Sequence, residues 1–482
     1  MDIPKNIKKN LNGFNGRIIT RFPPEPSGCL HLGHAKAIFI NYSIAKYYNG
    51  KFILRFDDTN PEKESLEYVN QIIKDITSLD VIPDKITHTS DYFDKIIECA
   101  DFLVDNFLAY VDDTDSYTMG LERKDRIDSK NRDLDSRELW NQMKSGTITN
   151  SVLRIKLNMK SNNGAMRDPT IFRFNILPHF ATGKKYCVYP TYDFACPIVD
   201  TIEGVTHVYR SCEFVDRDEQ YQIILKMLNF SKIILSGYGK LNFTDAIMSK
   251  RAIKAMIDAD EVDGWNDPRL LTLQGAFRRG LSLPAIRMFV SELGFSKNTN
   301  NKMEQDTLWK INRKVIDKIA TRYTVLPLLE ITTKSFPETC YINDSVLINR
   351  IDRYPDAGKR NLYYSRTLMF STNDVKDIGT NEEVTLMNFG NVFFGEYLVT
   401  NPGGDFKNTK HKLLWLCYRE DYPVVNVRII SYQSGKKIIT KYFGEPDMKY
   451  IKVGDYVQLM KMGYYICDYI NDDIIELIEM IV

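Results

Sequence analysis

The sequence lacks any uninterrupted apolar run approaching the roughly 18 residues that a membrane-spanning helix needs, and its opening, MDIPKNIKKNLNG, has no apolar stretch such as a secretory signal requires. A chain without either is expected to be soluble and cytosolic. Eight cysteines (Cys29, Cys99, Cys187, Cys196, Cys212, Cys340, Cys417, Cys467) are scattered with no C-x-x-C pair, so free thiols and no structural metal or redox centre are expected. A dominant charge is also missing: 64 Lys and Arg against 63 Asp and Glu leave +1. That excludes binding of nucleic acid through bulk charge, and any RNA partner would be met by local basic patches and shape. What is present is ample core material, 43% hydrophobic residues over 482 positions, enough for about three domains of ~150 residues.

The most informative stretch is Arg21 to His34, RFPPEPSGCLHLGH. Before it, Arg17 to Thr20 alternates like a short strand. After it, Ala37, Ile38, Asn41, Ile44, Ala45 and Tyr48 recur at helical spacing until Asn49-Gly50 stops the run. A loop feeding a helix N-terminus meets an anion with unpaired N–H groups and the positive end of the helix dipole. Gly28 and Gly33 permit close approach to the backbone, Pro23, Pro24 and Pro26 keep the loop extended, and His31 and His34 flank the turn. By itself His-x-Gly-His is short enough to occur by chance on a surface loop.

A second stretch, Ile247-Met248-Ser249-Lys250-Arg251, changes the weight of the first. His31-Leu32-Gly33-His34 together with Met248-Ser249-Lys250 resembles the paired ATP signatures of class I aminoacyl-tRNA synthetases. LRFDDTNPEKE at 54 to 64 and YPTYDFACPIVDTIEGVTH at 189 to 207 resemble the glutamyl- and glutaminyl-tRNA synthetase branch, colinearly from about Arg17 to the C-terminus. The widely quoted form of the second signature begins with lysine; Ile247 stands there, an apolar residue of the kind common in this branch, which concentrates the chemistry on Lys250.

The expected architecture is α/β: a tail at 1–16, a doubly wound Rossmann-type catalytic domain at 17–93 and 187–251, an acceptor-end insertion at 94–186, a helical subdomain at 252–326 and a β-barrel anticodon-binding region at 327–482. Phe52 to Phe56 reads as a buried parallel strand ending at Asp57-Asp58, and Glu64 to Leu79 as an amphipathic helix. The charge run LERKDRIDSKNRDLDSRELWNQMK, at 121 to 144, suits a solvated helix face within the insertion. Strands are expected at Val152–Leu157, Thr170–Phe174, Val384–Met387, Val392–Phe394, Leu413–Leu416, Val424–Ile430, Ile438–Thr440 and Tyr456–Met460, and helices at Leu283–Leu293 and Trp309–Ala320.

The resemblance implies glutamate activation by ATP, accompanied by Mg²⁺, and transfer to the terminal adenosine of tRNA-Glu. It places His31, His34 and Lys250 as catalytic groups on the phosphates. It implies ATP contacts from Glu25, Pro26, Ser27, Gly33, Lys36, Ser211, Leu241, Met248 and Ser249, and binding of the amino acid by Arg21, Asp57, Tyr192 and Arg210. Arg21 and Arg210 would set two cations against one γ-carboxylate, a site that a neutral glutamine amide would leave uncompensated; glutaminyl-tRNA synthetase is the alternative, followed by an inactive tRNA-binding relative. Members of the branch need bound tRNA for activation, which is expected here too. Arg428, Lys436 and Lys441 are candidates for reading the anticodon. The strand-rich second half resembles the eukaryotic and archaeal type, although the usual eukaryotic N-terminal extension has no counterpart before Arg21, which suggests a reduced or a shortened synthetase. Partners in a synthetase complex are not indicated.

Overall fold

In the computed structural model, residues 16–294, 302–340, 344–433 and 435–481 are described, and the chain divides into two units. The first runs to Asp258 and takes in Val290–Met303; the second comprises Ala259–Phe289 and the residues from Glu304 onward. All of the expected tail except Gly16 lies outside the described residues.

In the first unit, β1 (Ile19–Phe22), β2 (Lys51–Phe56) and β3 (Lys85–His88) run parallel, linked by α1 (Leu32–Tyr47) and α2 (Leu66–Ser78). Phe52, Ile53, Leu54 and Phe56 are all buried, because a parallel strand covered by helices on both faces has no polar side to show. After α3 (Phe93–Asp105), the chain enters an antiparallel sheet of β4 (Ala109–Asp112), β5 (Val152–Ile155), β6 (Thr170–Phe174) and β7 (Val188–Pro190). The charge run lies partly in α4 (Ser116–Asp125), which buries nothing, and partly in α5 (Arg137–Lys144), which inserts Trp140 and Met143 into the core of this sheet.

The chain returns through α6 (Tyr192–Ile202), β8 (His207–Ser211), α7 (Asp218–Met227) and β9 (Ile234–Tyr238), with β8 and β9 parallel. Thr206 joins the two strand sets: its N–H donates to the Ile19 carbonyl at 3.0 Å, and its hydroxyl accepts from the Ile19 N–H at 2.9 Å. The order is therefore β3-β2-β1-β8-β9. Strand order reverses beside β1, and in open α/β sheets a ligand crevice forms outside the carboxyl ends of the strands at that reversal.

Among the described residues the second unit has several apolar clusters. One fills a seven-stranded sheet of β10 (Thr321–Tyr323), β11 (Val325–Pro327), β12 (Val425–Gln433), β13 (Lys436–Gly444), β14 (Tyr456–Leu459), β15 (Gly463–Ile470) and β16 (Ile474–Glu479), in the order β10-β14-β15-β16-β12-β13-β11. The edge strands β10 and β11 are separated only by Thr324, so the sheet has to curl until its two edges meet: a nearly closed barrel. Thr324 donates its N–H to Glu445 Oε1 at 2.6 Å, and buried Glu445 also pairs with buried Arg360. Another cluster, with Phe336, Leu368, Phe370, Val384, Val392, Trp415 and Cys417, lies in the strands and connections of the segment between β11 and β12.

Two expectations need correction. The helical stretch, expected to reach 326, contains α-helices at Lys250–Asp258, Leu273–Arg278, Leu283–Leu293 and Asp306–Ile316, but β10 and β11 at its end are strands, too short to leave a period in the sequence. The single strand expected at Leu413–Leu416 is two, Lys412–Leu413 and Leu416–Cys417, in different sheets. None of the eight cysteines is in a disulfide. Among the described residues, no helix is long and apolar enough to cross a membrane.

Candidate active site

The loop before α1 is pinned from both sides. The Pro24 carbonyl accepts from the Asp57 N–H at 3.0 Å, the Pro26 carbonyl accepts from the Ser65 N–H at 3.3 Å, and the Leu30 N–H donates to the buried Asp75 carboxylate at 3.0 Å. His31 then caps the helix. Its Nδ1 accepts from the Gly33 N–H at 3.0 Å while His34 Nδ1 accepts from the His31 N–H at 3.1 Å, a reciprocal capping box made of two imidazoles. Burial, with the Lys250 and Lys240 ammoniums nearby, pushes His31 down to about 3; burial, His31 and the same lysines hold His34 well below the usual histidine range. A neutral imidazole that accepts at Nδ1 carries its proton on Nε2. The cap thus fixes both tautomers and leaves two Nε2–H donors on rings 3.8 Å apart. A Cβ on Gly33 would lie 2.8 Å from His31 Cε1 and 3.3 Å from Met248 Cε, which is why glycine stands between them.

These rings line two cavities. One, of about 510 Å³, is bordered at its far end by Arg21, Asp57, Tyr192, Arg210 and Ser211. The other, of about 580 Å³, is bordered by Met248, Ser249 and Lys250. Glu25, His31, His34, Lys240 and Leu241 border both. The two sequence-distant signatures therefore meet: Lys250 Nζ donates to the Glu25 carbonyl at 2.9 Å, and burial lowers its pKa although Glu25 opposes this. Of the residues expected to touch ATP, Pro26, Ser27 and Lys36 line neither cavity. Buried Lys36 donates to the Gly239 carbonyl at 2.7 Å and so holds the loop after β9 instead.

At the amino-acid end neither arginine is a bare cation. Arg21, 1% exposed, donates through Nε to Asp200 at 3.1 Å and through Nη2 to Cys196 Sγ at 3.1 Å. Asp200 also accepts from Arg55 at 2.5 Å and from the Tyr221 hydroxyl at 2.7 Å, and Arg55 reaches Glu203 at 2.8 Å. Burial pushes Asp200 up, but Arg21 and Arg55 overcome this and hold it at about 2. Arg210 donates through Nε and Nη2 to Asp218 and lies over the rings of Phe214 and Tyr221. Each arginine keeps Nη1 without a partner among the described residues, so the pair offers directed donors more than net charge. Asp57 is pushed up to about 7 by burial, Asp58 and Glu25, against Arg55 and the Thr59 hydroxyl. Burial raises the Tyr192 phenol, which stays neutral.

Sequence reasoning missed Asp200, Asp218, Arg55 and Lys240. A signal for the first existed: Tyr192, Cys196 and Asp200 follow each other at four-residue steps and so share one face of α6. Among the described residues no group of three or more His, Cys, Asp or Glu side chains is placed to hold a metal ion.

The profile of the tRNA synthetases class I (E and Q) catalytic domain matches residues 17–318, and that of the corresponding anti-codon binding domain matches 320–413. The chain belongs to the class I glutamyl- and glutaminyl-tRNA synthetase family. Among curated relatives, the cytoplasmic glutamate–tRNA ligase of Saccharomyces cerevisiae is 37% identical over 497 residues, covering 95% of this chain and 69% of that protein. The probable cytoplasmic glutamate–tRNA ligase of Schizosaccharomyces pombe is 37% identical over 494 residues, covering 95% and 68%. The bifunctional glutamate/proline–tRNA ligase of Cricetulus griseus is 37% identical over 490 residues, 94% of this chain but 32% of that protein. The synthetase chain thus spans about two thirds of the first two relatives and about a third of the bifunctional one. A crystal structure of glutamate-tRNA synthetase from Elizabethkingia anophelis overlaps 62% of this chain and 71% of that one, with a TM-score of 0.43 and 17% identity.

Proposed function

We propose that this synthetase is a cytoplasmic glutamate–tRNA ligase, which activates L-glutamate with ATP and transfers it to the terminal adenosine of tRNA-Glu for translation. The observation that carries the reading is the continuity of the two cavities across the His31–His34 pair, with Lys250 on one side and Asp57, Tyr192, Arg21 and Arg210 on the other. Attack of a carboxylate on the α-phosphate needs charge stabilisation and alignment more than covalent help. The two Nε2–H groups donate to phosphate oxygens, and Lys250 meets the charge that develops on departing pyrophosphate. Asp57 takes the substrate ammonium, and the open Nη1 groups of Arg21 and Arg210 address the γ-carboxylate. Mg²⁺ enters with the ATP phosphates, which it neutralises. The terminal adenosine then accepts glutamate at its 2′-hydroxyl first, the class I position.

Glutamine remains a second reading for a stated reason: Asp200 and Asp218 already neutralise the two arginines, so the pocket does not reject a neutral amide by charge alone. The test is ATP–pyrophosphate exchange with glutamate and glutamine in parallel, with and without purified tRNA-Glu and tRNA-Gln. Exchange with glutamate alone, silent without tRNA-Glu, is expected. Exchange with glutamine alone overturns the assignment of Arg210, and no exchange with either makes the chain a tRNA-binding relative.

A further inference from the structure

Asp57 stands on the loop after β2, and that loop is tied down by residues that line neither of the two cavities. The next residue, Asp58, is fully buried; its carboxylate accepts from the Ser90 N–H at 2.9 Å and the Ser90 hydroxyl at 2.6 Å, with His88 Nδ1 at 3.1 Å. These partners come from the end of β3 and the turn that follows it. The Asp58 carbonyl is taken from elsewhere: it accepts from buried His179 Nε2 at 2.9 Å, 121 positions away in sequence, on the connection between β6 and β7. The same stretch of chain reaches the loop twice more. Arg173 Nη2 donates to the Thr59 carbonyl at 3.3 Å, and Asn175 Nδ2 donates to Glu62 Oε1 at 3.2 Å.

His179 is held so that it can make that one bond. Its Nδ1 accepts from the Ala181 N–H at 3.1 Å and the Thr182 N–H at 3.2 Å, which places its proton on Nε2. Burial lowers its pKa although Asp58 opposes this, so the donor is a neutral imidazole. Its own N–H and carbonyl pair with the carbonyl and N–H of Gly183 at 2.9 and 2.8 Å, and its ring stacks on Phe180 and Tyr189 at 4.7 and 6.1 Å. On this ground, and resting on the glutamate–tRNA ligase reading above, we propose that His179 is a positioning residue: through the Asp58 carbonyl it sets where the Asp57 carboxylate meets the substrate ammonium. Ser90 holds the same relay from the β3 side. The β6–β7 connection and the amino-acid pocket are thereby coupled, since whatever displaces the connection displaces Asp57.

The test is ATP–pyrophosphate exchange by the full chain with tRNA-Glu present, glutamate and ATP being varied separately. His179→Phe keeps an aromatic ring in the stack and removes the donor, whereas His179→Gln keeps a donor near the Nε2 position and removes the ring. The phenylalanine variant is expected to raise KM for glutamate about tenfold, the scale of one lost hydrogen bond, with KM for ATP unchanged. The glutamine variant is expected to recover most of that loss. Ser90→Ala deletes only a hydroxyl and is expected to raise the same KM about threefold; it decides the matter if His179→Phe does not fold. In an Asp57→Asn background none of these changes is expected to raise KM for glutamate further, because the carboxylate they aim is gone. Wild-type KM for glutamate in His179→Phe, or in Ser90→Ala where the former does not fold, overturns the role and leaves the ligase standing. So does a glutamine variant worse than the phenylalanine one, or an effect that persists in full without Asp57. If wild type shows no exchange with glutamate, the ligase reading itself fails and the role falls with it.

Discussion

Asp200→Asn tests how the amino-acid pocket is held. The buried set in the structure is Arg21 and Arg55 against Asp200 and Glu203, two charges of each sign, with Asp200 fully buried and bonded to both arginines. Asparagine keeps the shape but removes one charge, leaving two guanidiniums with one carboxylate out of water. Removing one partner of a buried pair costs about 3–5 kcal/mol, a large share of the ~5–15 kcal/mol that separates native from unfolded protein. Arg21→Met alone creates the opposite imbalance. The two changes together restore neutrality through Arg55 and Glu203, so the double variant is expected to lose at least about 2 kcal/mol less than the sum of the singles. Hydrogen exchange of β1 and α6 amides against urea measures the opening free energy of this unit. Kinetically, Asp200→Asn should raise KM for glutamate, because Arg21 loses its orienting bonds, and leave KM for ATP near wild type. A cost under about 1 kcal/mol, or a strictly additive cycle, would refute the buried-charge reasoning.

Other outcomes follow from the same geometry. Lys250→Ala should lower the activation rate about 10²–10³-fold, the loss typical of removing one donor to a developing charge, and leave tRNA affinity close to wild type in a filter-binding assay. Gly33→Ala forces a methyl to 2.8 Å from His31 Cε1 and should raise KM for ATP by displacing that ring, while a circular-dichroism spectrum stays native. Because burial pushes Asp57 up to about 7, the carboxylate that receives the substrate ammonium forms only as pH rises through that value; apparent affinity for glutamate should increase between about pH 6 and 8, and Asp57→Asn should flatten the profile. Glu445→Ala strands buried Arg360 and frees the Thr324 N–H, so the closed sheet should lose about 3–5 kcal/mol, read by hydrogen exchange of β14 and β15 amides.

The sequence made some of this legible for physical reasons. The buried parallel strand at β2 shows as a solid apolar run, and α2 shows because one face is covered and the other wet. The two ATP signatures were readable because the chemistry demands particular side chains at fixed spacing. Their meeting was not, since Lys250 reaches the Glu25 carbonyl across 225 positions, and no local pattern encodes such a contact. Lys36 illustrates the opposite failure: it follows the first signature by two residues and was expected to touch ATP, yet it lines neither cavity and donates to the Gly239 carbonyl instead. In the second unit, IIELIE in β16 can be read as strand or helix turn, and three-residue edge strands carry no period.

The placement of Thr324 also dictates an order of events during synthesis. β10 finds its neighbour at Val457–Leu459 and β11 at Tyr442–Gly444, so both wait through more than a hundred residues for partners that have not yet been made. Closing so long a loop from an open chain is slow. The intervening strands gather their own core around Phe370, Val392 and Trp415, and once that core has formed the connection between β11 and β12 is short in space though long in sequence. The inserted core thus serves as a splint, and substitutions that loosen it should delay closure of a sheet whose own contacts they never touch.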